Sequence, residues 1–220
     1  MSFRNTYLIC WLVLLSCFNQ PMAQEDDSQT QALVVVLGES LTADALMPSQ
    51  TELDALREKA QGNFDALLDY RIQIAAFDSV VERIIFDYAK RNGITADETL
   101  VKQFEDKFSN ELASSQQRAG ETESDTASAK DISSIAQREV TKFLVEKAMY
   151  KTFGGRVVFR QSNPLMPVDA YKKLLMQYKE SGQLQFNDET LEKAFWGGFS
   201  EPFKFVIPTE NIDFSNPWWL

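Results

Sequence analysis

The sequence predicts a mainly α-helical domain of about five or six helices, with a small two- or three-stranded sheet that joins its two termini. Three observations favour this fold class. Apolar residues recur three and four positions apart over residues 64–88, and almost no polar side interrupts them. Residues 32–37 form a short β-branched run that is typical of a strand. Amphipathic helical patterns then return in most later segments, up to residue 199.

The apolar segment 64–91 is predicted to be the most buried helix, because a helix that is apolar nearly all round must be covered on several sides. Its end is marked by Gly93, which can adopt a left-handed cap while Ile94 folds back onto the last turn. Thr95 and Glu98 have the spacing of a capping box, so we expect the next helix to begin there.

Capping signals also mark the first and last helices. Ser49 and Glu52 have capping-box spacing and predict a helix that follows the short N-terminal strand. Asp188 can cap a final helix that continues to about Phe199.

The chain divides by composition into five segments. Residues 1–23 are predicted to be a signal peptide and 24–31 a disordered polar segment. Residues 32–200 are predicted to form one helical domain. Within it, 113–130 carry no large apolar side chain and are expected to be a flexible linker or a solvated helix extension. Residues 201–220 are predicted to be an extended aromatic tail that packs on the domain.

The first residues of the chain leave the route of processing open. Cleavage after Ala23 would release a soluble protein, although Pro21 is a poor residue for the −3 position. The sequence before Cys17 is similar to a lipoprotein box, in which Cys17 would be acylated. An uncleaved anchor is the third alternative. Each route places the body outside the inner membrane of a bacterium, and we therefore expect a periplasmic protein.

Composition excludes several classes of function. The formal net charge is −10, which argues against nucleic acid or an anionic membrane surface as a partner. The chain contains no histidine, which removes Ser-His-Asp and Cys-His nucleophiles and imidazole metal sites. Its two cysteines, Cys10 and Cys17, lie in the N-terminal segment. We therefore expect no catalytic residue, no metal and no cofactor in the body.

Several polar groupings have simpler structural interpretations. The carboxylate pair Asp65 and Asp69 has no EF-hand spacing around it and is better explained as a solvated helix face. The pairs at 154–155 and 197–198 are glycines, but neither lies in a strand–loop–helix phosphate motif, so helix ends explain them.

Aromatic residues crowd into the C-terminal part of the chain. They have two interpretations: packing anchors that hold the last helix and the tail on the core, or exposed contacts for extended polypeptide in an apolar groove. The candidate contact residues are Phe195, Trp196, Phe199, Phe203, Trp218 and Trp219.

The strand at 34–37 is too short to be stable alone. The run 205–207 is the best partner for it that the sequence offers. This pairing would bring the termini together.

The order of these elements resembles the N-terminal chaperone domain of SurA-type and parvulin-type periplasmic folding factors. In that family an apolar strand leads into Asn-Gly-Glu, then Ile-Thr and an acidic residue. Here Gly38-Glu39 precedes Leu41-Thr42, with Leu37 in place of the usual Asn. A long helix that ends in Asn92-Gly93-Ile94-Thr95 matches the family's helix–glycine–helix junction. The resemblance covers about residues 32–153.

This resemblance implies a chaperone domain without prolyl isomerase activity, because the isomerase fold of the family carries active-site histidines. We expect a non-enzymatic chaperone or assembly factor that binds unfolded or extended secreted proteins in an apolar groove between helices. The alternative is a dedicated interaction subunit or lipoprotein with one fixed partner. An enzyme that uses only carboxylates is the third hypothesis.

Overall fold

The computed structural model describes residues 31–119, 125–161 and 163–220. The expected signal peptide at 1–23, Cys17 and all but the last residue of the 24–31 segment lie outside the described residues. None of the helices in the described part of the chain is long and apolar enough to cross a membrane.

The described residues form six α-helices and two three-stranded antiparallel sheets, which confirms the mainly α fold class. In chain order the elements are β1 (Ala32–Val36), β2 (Glu39–Thr42), α1 (Gln50–Lys59), α2 (Phe64–Arg91), α3 (Glu98–Ala119), α4 (Asp125–Phe153), β3 (Val157–Arg160), β4 (Asn163–Met166), α5 (Val168–Glu180), β5 (Leu184–Phe186), α6 (Glu189–Gly197) and β6 (Val206–Ile207).

Helix α2 lies at the centre of the fold and contacts α1, α4, α5, α6 and β1. Its Val80 and Ile84 are completely buried. The predicted cap is confirmed: Gly93 has a φ of 64°, and the Ile94 N–H donates to the Ala89 carbonyl at 2.9 Å. The carbonyls of Tyr88, Ala89 and Lys90 in the last turn thereby all accept hydrogen bonds.

The other capping predictions have mixed outcomes. The box formed by Ser49 and Glu52 is confirmed, as is the cap of α6, where Asp188 accepts from the Leu191 N–H. The predicted box at Thr95 is wrong. Asp97 lies one residue before α3 and accepts from the Leu100 N–H at 2.9 Å, so the carboxylate caps this helix instead.

The segment 113–130 is helical wherever the structure describes it. Helix α3 continues to Ala119, and α4 begins at Asp125. In residues 113–119 and 125–130 the backbone therefore follows the alternative of a helix extension, and residues 120–124 lie outside the described residues.

The predicted pairing of 34–37 with 205–207 is wrong. Strand β1 pairs with β2 on one side and with β5 on the other, while β6 pairs with β3 in a separate sheet. Leu184 lies opposite Val36, and both side chains are completely buried on the same face of the sheet. The chain that returns after α5 thus supplies β5 as a partner for β1, with a matching alternation of buried and exposed residues. The sheet does not join the termini.

The β1–β2 hairpin turns through Leu37 and Gly38, which have φ values of 54° and 84°. Positive φ at both central residues is the geometry of a type I′ turn, which favours Asn-Gly. Leucine is an unusual residue here, and its side chain packs partly against the core. The position where the sequence departs from the family pattern is therefore a conformationally strained one.

Two apolar clusters hold the fold together. The larger one surrounds α2 and includes β1, α5 and α6. The smaller one lies between α3, α4 and the C-terminal tail, where Phe104 and Phe143 meet Trp219. Helix α4 contributes side chains to both clusters and connects them.

Arg156 links the end of α4, the start of α5 and the tail. Its guanidinium makes a two-pronged contact with Asp169, with both distances at 2.9 Å, and it also pairs with Glu201. This guanidinium holds the pKa of Asp169 below its ordinary value. Gly155 permits the contact, because a Cβ there would lie 2.5 Å from the Cβ of Asp169.

Replacing Gly155 by Ala is expected to reduce the free energy of unfolding by about 3 kcal/mol. The residue has a φ of +97°, and the added methyl group would displace Asp169. Gly154→Ala is the matched control: Gly154 has a φ of +58° but open space around its Cβ position, so only about 1–2 kcal/mol should be lost. Urea denaturation measures both values, and equal losses would contradict the close approach to Asp169.

Candidate functional site

The structure divides the six candidate contact residues by exposure. Phe195, Phe199 and Trp219 are at most 2% exposed, whereas Trp196 and Phe203 are half-buried and Trp218 is 41% exposed. Three of the six are therefore core residues and cannot touch a polypeptide in this structure. The interpretation of the tail as a set of packing anchors describes these three.

Phe195 and Phe199 close the core over α2. Their ring centroids lie 5.2 Å from that of Phe77 in each case, and Phe199 stacks on it at an interplanar angle of 19°. Gly198 lets α6 approach, since a Cβ there would lie 2.8 Å from the Phe77 ring. The glycine pair at 197–198 thus serves packing.

Trp219 anchors the tail in the second cluster. Its ring packs edge-on against Phe104 at 5.3 Å and against Phe143 at 5.6 Å, and its carbonyl accepts from the Lys107 ammonium. The indole nitrogen is buried without a hydrogen-bond partner among the described residues. Apolar packing therefore supplies the stabilisation at this residue.

Two exposed phenylalanines, Phe159 and Phe205, form an apolar surface elsewhere, where the chain before β6 lies beside β3. Phe159 is 50% exposed and Phe205 is 56% exposed, and they lie opposite each other on adjacent strands. Both line a shallow cavity of about 220 Å³, together with Phe203. We call Phe159 and Phe205 the β3–β6 surface.

The six candidate contact residues predicted from the sequence include neither Phe159 nor Phe205, and Val206 was missed as well. Val157 and Val158, which precede Phe159, are both buried, so the local pattern does not single out an exposed third residue. A signal was nonetheless available, because Arg156 and Arg160 flank the run and indicate a solvent-facing edge.

The β3–β6 surface is bordered by positive charge in an acidic protein. Residues 156–160 and 202–208 together contain three cations, Arg156, Arg160 and Lys204. Arg156 is paired with Asp169 and Glu201, so Arg160 and Lys204 supply the positive charge beside this surface. Arg160 donates to the Gly198 carbonyl, and the Lys204 ammonium lies 5.4 Å from the centroid of the Phe205 ring.

A groove between α2 and α4 is the clearest inter-helix cavity, with a volume of about 270 Å³. Val81 and Ile85 contribute apolar area to it. Its rim is charged, however, and Glu82 forms an ion pair with Arg138 across it. Asp78 also lines the groove, and partial burial raises its pKa. The rim of this groove is thus more polar than that of the apolar groove that the sequence analysis expected.

Beneath this groove lies Glu146, the one buried charged side chain among the described residues. The Tyr171 hydroxyl donates to its Oε1 at 2.5 Å, and the Asn163 amide donates to the same atom at 2.6 Å. Burial raises the pKa of Glu146 to about 7. The carboxyl group therefore joins α4, α5 and β4 through hydrogen bonds.

The Glu146 cluster has the structure of a packing element. The adjoining cavity, which Lys142 and Trp218 help to line, measures only about 10 Å³, too little for a substrate. Glu146 was also missed from the sequence, although it lies three residues after Phe143 on the apolar side of α4. That position was the available signal.

Other acidic residues form no clear site in the described part of the chain. Asp65 and Asp69 are exposed on α2. The described residues contain no group of three or more potential metal ligands.

No family model matches the chain, and no curated protein and no solved structure matches it either. The resemblance to SurA-type and parvulin-type folding factors therefore stays a prediction that rests on sequence motifs. One of these motifs, the junction at Gly93, forms a cap that is common at helix ends in general.

Replacing Trp219 by Ala is expected to lower the free energy of unfolding by about 3–5 kcal/mol, because a completely enclosed indole would leave a cavity. Trp218→Ala is the matched control, and since this ring is 41% exposed, it should cost less than half as much. Urea denaturation followed by circular dichroism measures both losses. A larger loss for Trp218→Ala would contradict the assignment of Trp219 as the anchor.

Replacing Glu146 by Gln is expected to make stability less dependent on pH. Because burial raises the pKa of Glu146 from 4.5 to about 7, the folded state keeps a proton that the unfolded state releases between these values. Unfolding free energy therefore falls as the pH rises through this range, by up to about 1.4 kcal/mol per pH unit. Glutamine keeps an oxygen that accepts from Tyr171 but does not titrate.

Urea denaturation at several pH values between about 4.5 and 8 measures this dependence. Asp78→Asn is the control, because burial also raises the pKa of Asp78 and contributes with the same sign. We expect Glu146→Gln to remove a larger part of the pH dependence of stability than Asp78→Asn does. An unchanged slope in Glu146→Gln would rule out a buried, protonated carboxyl group.

Proposed function

We propose that the chain is an extracytoplasmic, non-enzymatic chaperone or assembly factor that binds unfolded or extended polypeptide, in the periplasm of a Gram-negative bacterium. The observation that carries the proposal is the exposure of Phe159 and Phe205, each at least half exposed, on neighbouring strands. Large apolar side chains grouped in this way on a surface are typical of a protein-binding site.

The size of this surface suits weak and reversible binding. A phenylalanine contributes on the order of 150–250 Å² of apolar area when fully buried. Covering the exposed halves of two rings would therefore yield on the order of 4 kcal/mol, at about 25 cal/mol per Å². Binding of this strength holds an apolar segment briefly and releases it without any chemical step.

The contact is assigned to the β3–β6 surface instead of the groove between α2 and α4. A bound apolar segment in that groove would have to displace water from Asp78 and from the ion pair of Glu82 with Arg138. The rings of Phe159 and Phe205 carry no such penalty. Phe203, half-buried in the same cavity, adds apolar area beside them.

The first test measures suppression of aggregation. The purified body should reduce light scattering from several unrelated unfolded proteins, and the double variant Phe159→Ser/Phe205→Ser should lose at least half of this effect. Tyr70→Ser is the matched control, because Tyr70 is 60% exposed on α2, apart from the β3–β6 surface. It should behave as the unmodified protein.

The alternative is a dedicated interaction subunit with one fixed partner. Such a protein would suppress the aggregation of none of the unfolded proteins and would co-purify with a single protein from the envelope. That result, or equal losses in the Phe159/Phe205 and Tyr70 variants, would contradict the proposed chaperone activity. Clear turnover in a prolyl isomerisation assay would contradict its non-enzymatic nature.

A further inference from the structure

Strand β6 is an edge strand. Its sheet has the order β4-β3-β6, so β6 is paired on one side only. Val157 lies opposite Ile207, and Val158 lies opposite Val206. The other side of β6 faces away from the sheet.

The hydrogen bonds show which backbone groups of β6 point outward. The Phe159 N–H donates to the Phe205 carbonyl at 3.0 Å. Hydrogen-bonded and non-hydrogen-bonded pairs alternate along an antiparallel ladder, so the Val158–Val206 pair is of the second kind. The N–H and C=O of Val206 therefore point away from β3. Among the described residues neither group has a backbone partner outside this ladder.

The outward side of this edge is short. Lys204 lies at a bend before β6, so the alternation of the ladder does not extend to it. Pro208 ends the edge, since it has no N–H and its carbonyl accepts from the Asn211 N–H. Val206 thus offers two backbone groups, its N–H and its C=O, to an added strand.

Side chains around these groups indicate the chemistry of the partner. Phe205 and Val206 are each at least 50% exposed and would pack on apolar residues of an added strand. Lys204 forms no ion pair with an acid of the described residues. In a protein with a net charge of −10, this local positive charge favours a segment that carries acidic residues.

We propose that the outer edge of β6 binds an extended segment of another protein by strand addition, and that this segment alternates apolar and acidic residues. The inference rests on the proposed polypeptide-binding function and specifies how the client is held. Backbone hydrogen bonds to Val206 supply affinity that is independent of sequence. The apolar and acidic side chains supply preference among clients.

Val206→Pro tests the backbone contact. Proline removes only the outward N–H and keeps the pairing of β6 with β3, and it is tolerated where an edge N–H faces solvent. Val206→Thr is the matched control, because it keeps the N–H and the shape of the side chain. The probe is a fluorescein-labelled peptide in which Val and Glu alternate, compared with one in which Val and Lys alternate.

We expect the Val-Glu peptide to bind the full body of the protein, and Val206→Pro to weaken this binding at least fivefold. Val206→Thr should change it less than twofold, and Lys204→Glu should weaken the Val-Glu peptide and strengthen the Val-Lys peptide. Hydrogen exchange gives a second readout, in which the peptide should slow exchange at the Val206 amide.

Unchanged binding to Val206→Pro together with unchanged exchange at Val206 would overturn strand addition. If Phe159→Ser/Phe205→Ser still loses aggregation suppression in that case, the proposed function survives without it. Failure of the Val-Glu peptide to bind the unmodified protein would overturn the inferred partner chemistry. If Phe159→Ser/Phe205→Ser keeps full aggregation suppression as well, both proposals are contradicted.

Discussion

The fold depends on covering the apolar surface of α2. This helix of 28 residues buries Val80, Ile84 and Ile85 in its second half, where polar side chains could not satisfy their hydrogen bonds. Cysteines occur only at positions 10 and 17, so no disulfide within residues 31–220 assists the packing. The apolar side of α2 must therefore be covered by α5, α6 and β1. The apolar sides of these elements are buried in the same contact.

This requirement determines which aromatic residues remain for binding. Phe195 and Phe199 pack on Phe77 of α2, and Trp219 fills the space between α3 and α4. Rings in such positions stabilise the native state but are closed to a partner. The chain after α6 then returns along β3, and there the sheet has only one covered face near Phe159. Phe159 and Phe205 belong to neither of the two apolar clusters, and their rings therefore stay exposed.

Local interactions could be predicted from the sequence, and long-range ones could not. The caps at Gly93, Ser49 and Asp188 follow from residues within one helical turn, and the structure has them. The cap predicted at Thr95 is absent, because Asp97, only two residues away, caps the helix instead. The partner of β1 depends on where α5 returns the chain, which no short pattern encodes. Burial of Glu146 depends likewise on Tyr171, a residue of another helix.

The composition of the β6 edge bears on how selective such a site would be. Lysine and proline at an edge strand discourage pairing with arbitrary chains, and they also keep identical edges apart. Lys204 and Pro208 have this effect on β6, and only the three residues 205–207 lie between them. An uncharged apolar strand gains nothing from the lysine and leaves its ammonium partly desolvated. A segment with a carboxylate opposite Lys204 compensates that cost, so the same residue that prevents indiscriminate association favours acidic clients.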